Sequence, residues 1–477
     1  MLTELLAQLP PEPDETHFLA EIQRMVAESK RKFIVIDDDP TGPQTLHDIE
    51  LLLTWDRDRL VAALRGESPL IYILTNSRSL SQAEAVQLNR DLALQLVDAS
   101  RITGVDFVVA SRSDSTLRGH YPAEVLALAE TLRAPGEQSL PAHLLIPAFF
   151  EGGRYTIGNT HYVAGSGDAA DILQPAHETP FARDSVFGYT TSYLPAWVEE
   201  KSNGHWRADQ VASIELAQIR QGGPEAVAAM LETLTANTPV VVNAASYGDL
   251  AIVVLGLLRA EAAGKRFLYR TAASFVRLRG AVTPQPLLTT DQIMRGTPMT
   301  QAGGLVVVGS YVPGSSAQLE NLLAQDGVVG IELPVERILQ AAADVDTIYR
   351  DLSRQLDEAI VAGHTGILYT SRKLITGTSD DESLAIGKKV SAALIAIVHG
   401  IAERPRFIIA KGGITSHIIA QHGFGATSAR VLGQILPGVS VWTLESGTRF
   451  QGIPYVVFPG NVGNAESLGQ AVQTLNA

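Results

Sequence analysis

The chain's most constraining feature is a repeated alternation between short runs of β-branched and aliphatic residues and longer segments with helical periodicity. In the N-terminal half, strand-like runs fall at Phe33 to Ile36, Leu70 to Leu74, Val105 to Ala110 and His143 to Ile146. Helical patterns lie between them at Arg57 to Leu64, Gln82 to Ala99 and Pro122 to Leu132. Fully apolar strands separated by helices point to a parallel sheet covered on both faces. In such sheets ligands bind beyond the carboxyl ends of the strands, so the residues directly after each strand are the ones to read for chemistry. The segment from Glu151 to Asp209 lacks helical period and reads as hairpins and long loops. Alternation resumes with a strand at Pro239 to Asn243, a helix at Gly248 to Ala263 and a strand at Phe267 to Tyr269.

Thr283 to Gly303 is rich in Pro, Thr and Gln and has no period, which places a domain boundary there. Beyond it, strands are expected at Leu305 to Val308, Val328 to Glu332, Gly366 to Tyr369, Phe407 to Ala410, Val439 to Thr443 and Tyr455 to Phe458. Helices are expected at Ser315 to Ala324, Val345 to Ala362, Glu382 to Glu403 and Ala465 to Leu475. The expected organisation is an amphipathic helical extension over residues 1–30 and α/β domains over 31–285 and 300–477. Each domain would be a mostly parallel sheet flanked by helices, with the active site in the cleft between the two domains.

Composition narrows the chemistry. The 477 residues include no cysteine, which removes disulfides, thiolate nucleophiles and Cys-ligated zinc. A formal net charge of −14 disfavours nucleic-acid binding, which needs a basic surface. The longest apolar runs are strand-sized, far short of the ~20 residues that span a bilayer, so no membrane partner is expected. Glu4, Glu12, Asp14 and Glu15 stand where a secretory signal would carry basic residues, which predicts a cytoplasmic protein. An anionic small-molecule ligand would have to find basic residues and helix N-termini locally, against the overall field.

Three strand ends in the first half answer that requirement. Ile34 to Ile36 runs into Asp37-Asp38-Asp39-Pro40-Thr41-Gly42. Adjacent carboxylates repel unless a cation or a substrate proton uses them, so one can act as a base on an attacking hydroxyl; the alternative is a solvated turn whose Asp caps a helix. Ala110 is followed by Ser111-Arg112-Ser113-Asp114-Ser115-Thr116-Leu117-Arg118-Gly119-His120, whose guanidinium forks suit a carboxylate; a capping loop with surface arginines is the alternative. Leu74 is followed by Thr75-Asn76-Ser77-Arg78.

The second half carries Gly-rich loops between strand and helix. These are Gly309-Ser310-Tyr311-Val312-Pro313-Gly314-Ser315-Ser316, Lys411-Gly412-Gly413-Ile414-Thr415-Ser416 and Pro459-Gly460-Asn461-Val462-Gly463-Asn464. Paired glycines let backbone N–H groups approach an anion, so the three loops suggest a nucleotide site; plain glycine turns are the alternative. No Walker-type P-loop sequence, dinucleotide fingerprint or H-E-x-x-H spacing occurs, and His417 reads as a packed residue.

Together, Asp38-Asp39-Pro40-Thr41-Gly42, Asp114-Ser115-Thr116-Leu117-Arg118-Gly119 and Lys411-Gly412-Gly413-Ile414-Thr415-Ser416 closely resemble the four-carbon acid sugar kinase family, over nearly the whole chain from Phe33 onward. The resemblance implies an N-terminal domain that holds a small sugar acid, a C-terminal domain that binds ATP with Mg²⁺, and transfer to a hydroxyl of a tetronate or 3-oxo-tetronate. By matching positions, it implies that Asp38 and Asp39 are catalytic and that Thr41, Arg78, Asp114, Ser115 and Arg118 bind the acid. Ser310, Ser315, Gly412, Gly413, Thr415, Gly460, Asn461 and Gly463 would line the nucleotide, with no direct protein ligand to the metal assigned. Two loops depart from the family's usual form: Ile414 stands where a glutamate is usual, and Pro459 to Gly463 replaces an SGNFG-like run. The rival classes are a noncatalytic sensor of sugar acid and nucleotide, and an NAD-dependent dehydrogenase. A homodimer is expected as the commonest assembly.

Overall fold

The structure is a computed structural model. It describes residues 2–477 except 8, 40, 134–139, 166–171, 236, 299, 311, 341–344, 374, 376–379, 446 and 461. The chain divides into two α/β units, one formed by Met1–Thr45 with Thr54–Pro284 and the other by Leu46–Leu53 with Gln285–Ala477.

The strands of the first half are β1 (Lys32–Asp37), β2 (Ile49–Leu52), β3 (Leu70–Leu74), β4 (Phe107–Arg112) and β5 (Ala142–Ile146). They continue with β6 (Arg154–Ile157), β7 (Thr160–Ala164), β8 (Leu173–Pro175), β9 (Ala212–Ile214), β10 (Pro239–Val242) and β11 (Phe267–Thr271). In the first unit the order is β3-β1-β4-β11-β5-β10-β9, and every pairing is parallel. All six residues of β1 and all five of β3 are buried, as a sheet covered on both faces requires. The register pairs Asp37 with both Leu74 and Arg112, and Thr271 with Arg112 and Ile146, so these carboxyl ends lie level. The chain leaves β1 to one side for β3 and returns on the other for β4, which makes this end of the sheet a topological switch point.

β6, β7 and β8 form a separate antiparallel sheet, in the region where the sequence predicts hairpins. The 1–30 extension contains the helix Thr16–Ser29, which buries Ile22 and Val26 in the first unit. Glu15 bridges Arg277 at 2.6 Å, Glu21 bridges Arg259 at 3.2 Å, and the Pro10 carbonyl accepts from Arg220 at 2.8 Å. The helix Tyr247–Ala262 beneath it is apolar almost all round, the signature of an internal helix.

The second unit contains β12 (Leu305–Val308), β13 (Val328–Leu333), β14 (Thr365–Thr370), β15 (Ile408–Lys411), β16 (Ser428–Leu436), β17 (Val439–Leu444) and β18 (Pro454–Phe458). Its order is β13-β14-β12-β15-β18-β17-β16-β2. The first five strands are parallel, whereas β17, β16 and β2 pair antiparallel. Val306, Val308, Phe407, Ile409, Val441, Val456 and Phe458 lie in its core.

The departures from expectation have local causes. β4 starts at Phe107 rather than Val105, because Gly104 ends the preceding helix in the left-handed region and the Val105 carbonyl accepts from Ser100 at 2.7 Å. The helical segment Leu216–Thr233 escapes sequence detection because non-helical Gly223 and Pro224 interrupt its period. The segment Leu46–Leu53 falls inside the span expected for the first domain, yet it supplies β2 to the second unit, opposite β16.

Candidate functional site

At the switch point, three consecutive acids take three different environments. Asp37 is fully buried; it accepts from Tyr72 Oη, from the Asp39 amide at 2.8 Å and from Arg112 Nη1 at 3.3 Å. Burial pushes its carboxyl up to about 7 against the pull of Arg112. Asp39 Oδ1 accepts from the backbone and hydroxyl of Thr41 at 2.7 and 2.8 Å, and its Oδ2 is bridged by Arg78 Nη2. Asp38 is only 3% exposed and accepts from Ser113 Oγ on Oδ2. Its other oxygen, Oδ1, is buried with no hydrogen-bond donor among the described residues, and Arg78 Nη1 stands 3.9 Å from it.

Arg78 also stands 3.6 Å from Asp114 Oδ1, so the three carboxylates Asp38, Asp39 and Asp114 share this guanidinium. Asp114 accepts from Arg118 Nε at 2.7 Å and from Thr116 Oγ1; Arg118 and Arg78 hold its carboxyl well below the usual range despite its burial. Arg118 reaches Asp184 as well, at 3.5 Å. The loop's shape depends on Gly119, whose φ of +123° favours glycine and whose Cβ would fall 2.5 Å from Ser113 Oγ and 2.9 Å from Asp38 Oδ2. The Ser115 carbonyl accepts from His161 Nε2 at 2.7 Å. Burial lowers that imidazole to about 4, so it is neutral, with Thr156 Oγ1 3.0 Å from Nδ1.

The structure thus brings together Asp38, Asp39, Thr41, Arg78, Asp114, Ser115 and Arg118. It adds residues that the sequence reading left without a role. Arg270, buried on β11, donates to the Arg118 carbonyl at 3.1 Å. Glu124 lies buried under the site and accepts from Ser77 Oγ at 2.6 Å and Asn89 Nδ2 at 3.1 Å. Burial, and then Asp38, push Glu124 up to about 7. A carboxyl raised in the folded state favours folding fully at acid pH and loses that contribution as pH climbs from the ordinary glutamate range to about 7. Glu124→Gln therefore gains stability relative to wild type between pH 5 and pH 8, by roughly a few degrees in Tm, measurable by thermal melts at the two values.

In the second unit, four strand ends meet at a cavity of about 430 Å³, within the range of small-molecule sites. Gly309 and Ser310 follow β12, Thr370 to Lys373 follow β14, Gly412 to Thr415 follow β15, and Gly460 follows β18. The lining also includes apolar side chains, Val335, Ile375, Ile386, Val390 and Leu394. The lining therefore combines backbone and hydroxyl groups with aliphatic side chains.

Ser310, Gly412, Gly413, Thr415 and Gly460 line this cavity directly. Ser315 acts behind it, its Oγ bonded to Ser310 Oγ at 3.1 Å and to the Gly460 carbonyl at 3.2 Å. Gly463 shapes the β18 loop, which Gln318 fastens through the Val462 and Asn464 carbonyls at 2.9 Å. Asn461 lies outside the described residues. Gly412 has φ +111° and ψ 139°, a backbone state nearly confined to glycine, and its Cβ would approach Ser310 Cβ to 3.2 Å. Arg372 donates to the Ser310 carbonyl at 2.8 Å and to Thr370, and exposed Lys373 gives the rim a cation. Lys411 instead turns inward, buried over the Phe458 ring with Nζ on the Pro459 carbonyl, and burial lowers it to about 7. His417 is packed, as expected.

Two family descriptions match the chain in succession: a sugar-binding N-terminal domain over residues 33–279 and a nucleotide-binding C-terminal domain over residues 305–468. The chain is thus a sugar-binding and nucleotide-binding protein of two α/β units. It belongs to the family with the four-carbon acid sugar kinase architecture. Among solved structures, a protein from Salmonella typhimurium LT2 has 18% identity and a TM-score of 0.65, the match covering 92% of this chain and 98% of that one. Haemophilus influenzae protein HI1011 has 17% identity and a TM-score of 0.59, with 93% and 100% coverage. At these identities the likeness is one of fold. No protein of curated function matches. Among the described residues, no helix is long and apolar enough to cross a membrane.

Proposed function

We propose that the protein is a kinase that transfers the γ-phosphoryl group of ATP to a hydroxyl of a four-carbon sugar acid, a tetronate or 3-oxo-tetronate. The observation that carries this reading is the bare Oδ1 of Asp38. An unpartnered buried carboxylate oxygen costs on the order of 1–3 kcal/mol or more, so a fold that keeps one at its switch point reserves it for a donor from outside. A substrate hydroxyl is such a donor. Ser113 on Oδ2 and the guanidinium of Arg78 fix the carboxylate's direction, and Oδ1 would take the hydroxyl proton as the oxygen attacks. Asp39, already engaged by Thr41 and Arg78, would serve as a positioning residue.

ATP would occupy the cavity of the second unit, its phosphates toward Ser310, Gly412, Gly413, Thr415 and Lys373 and its base against the aliphatic side chains. Among the described residues no group of three or more His, Asp or Glu side chains could cage a metal ion. Mg²⁺ would be held chiefly by phosphate oxygens and water, supplying charge neutralisation during transfer. The hydroxyls of Ser310 and Thr415 would complete its shell.

Coupled ADP release with ATP and Mg²⁺ across tetronates, 3-oxo-tetronates and longer aldonates tests the proposal. Acid-dependent release is expected. ATP binding without turnover on any acid would favour a sensor, and an absorbance change with NAD and an acid would favour a dehydrogenase.

A further inference from the structure

The arginines expected to receive the substrate's carboxylate are already committed. Arg78 lies within 4 Å of three carboxylates, although its Nη1 makes no hydrogen bond among the described residues, and Arg118 serves two, Asp114 and Asp184. A third guanidinium in the same cluster is not. Arg154 is the first residue of β6, half-buried, with no ion pair or side-chain hydrogen bond among the described residues and with its Nε fully enclosed.

Strand geometry directs Arg154 at the site. Side chains two apart on a strand share a face. Thr156, two residues on, contacts His161, and His161 in turn holds the Ser115 carbonyl of the Asp114-containing loop. In the β6–β7 ladder Thr156 stands opposite His161, so Arg154, Thr156 and His161 lie on the face turned to that loop. Phe181 confirms the closeness: the Arg118 guanidinium lies 5.2 Å and the Arg154 guanidinium 5.7 Å from its ring centroid. Two guanidiniums thus lie over one aromatic ring, and among the described residues one of them makes no ion pair. Burial weakens its hold on its proton; the Asp114 carboxylate opposes that shift and Arg118 adds to it, and an incoming anion would oppose it further.

We infer that Arg154 binds the carboxylate of the substrate, and so selects acids over neutral sugars at the site that Asp38 serves. This rests on the sugar-acid reading above and names the group that enforces it. A planar fork with free donors beside a second guanidinium recognises a carboxylate bidentately, whereas a neutral polyol would leave the charge unpaired.

The test compares wild type with Arg154→Met and Arg154→Lys, using a tetronate and its uncharged amide as paired probes. Binding is followed by calorimetry and transfer by ADP release, with Tm and ATP affinity as checks on folding. The expected result is a fall of about 10- to 100-fold in affinity for the acid and a matching rise in its KM in Arg154→Met, a smaller effect in Arg154→Lys, and little change for the amide. Equal losses for acid and amide, no loss for the acid, or no binding of any acid by wild type would overturn the inference. The two readings fail separately. Arg154-dependent acid binding without phosphoryl transfer would sink the kinase proposal and leave this inference standing, and transfer that ignores Arg154 would do the reverse.

Discussion

Asp38→Asn should lower acid-dependent phosphoryl transfer by about 10²- to 10⁴-fold, the usual contribution of a positioned general base. The substitution is nearly isosteric and keeps a partner for Ser113 Oγ, but an amide oxygen cannot hold the transferred proton. Nucleotide affinity should stay within about twofold of wild type, because every residue that lines the cavity of the second unit is untouched. Single-turnover kinetics alongside ATP titration would separate the two quantities. Retained turnover would move the base elsewhere; a parallel loss of ATP binding would mean that the protein had been damaged. Asp39→Asn is the informative companion: it weakens the anchor of Arg78 rather than removing the acceptor, so its effect should be smaller and should fall partly on KM.

The second large effect is expected at Gly412. Alanine there would have to hold φ +111°, at a cost on the order of 1–3 kcal/mol, or swing the loop away from Ser310. Either outcome disturbs the backbone that would cradle the phosphates, and ATP affinity should fall at least tenfold, read by calorimetry or equilibrium dialysis. Gly314→Ala is the control: it lies in the first turn of the helix Pro313–Leu323, with nothing within 4 Å of the added methyl, and should leave affinity unchanged. Unaltered ATP binding in Gly412→Ala would remove the cavity from consideration as the nucleotide site.

The parts of the molecule legible in the sequence were those where one period and one punctuation mark coincide. Strand Leu70–Leu74 followed by Arg78, and strand Leu305–Val308 followed by Gly309, stand where the apolar run and the polar break put them. Local pattern cannot say which partner a run will meet. Ile49-Glu50-Leu51-Leu52 received no assignment from its local pattern, and its pairing with β16 depends on a contact far along the chain. The site shows the same limit. Asp38 and Arg118 announce themselves by clustering, but their accounting is three-dimensional: that Arg78 and Arg118 are engaged by carboxylates, while Arg154 is not, follows from where Asp184 and the β6–β7 hairpin fold. A lone arginine between Gly153 and Tyr155 carries no pattern that sequence alone could flag.

The placement of β2 has a consequence for how the protein is made. β2 ends at Leu52 and its partner β16 begins at Ser428, so about 376 residues must be translated before the pairing can form. At a synthesis rate of roughly 5–20 residues per second, that is a wait of roughly 20–75 s, during which Ile49, Leu51 and Leu52 lack their β16 partner. Glu50, the exposed residue within the strand, and Asp48 before it are charges of the kind that keep an orphan apolar strand from pairing with another chain. Replacing them with apolar residues would cost the finished fold the ion pair of Asp48 with Arg430 and leave the nascent strand unprotected, so the penalty would appear in yield as well as in Tm.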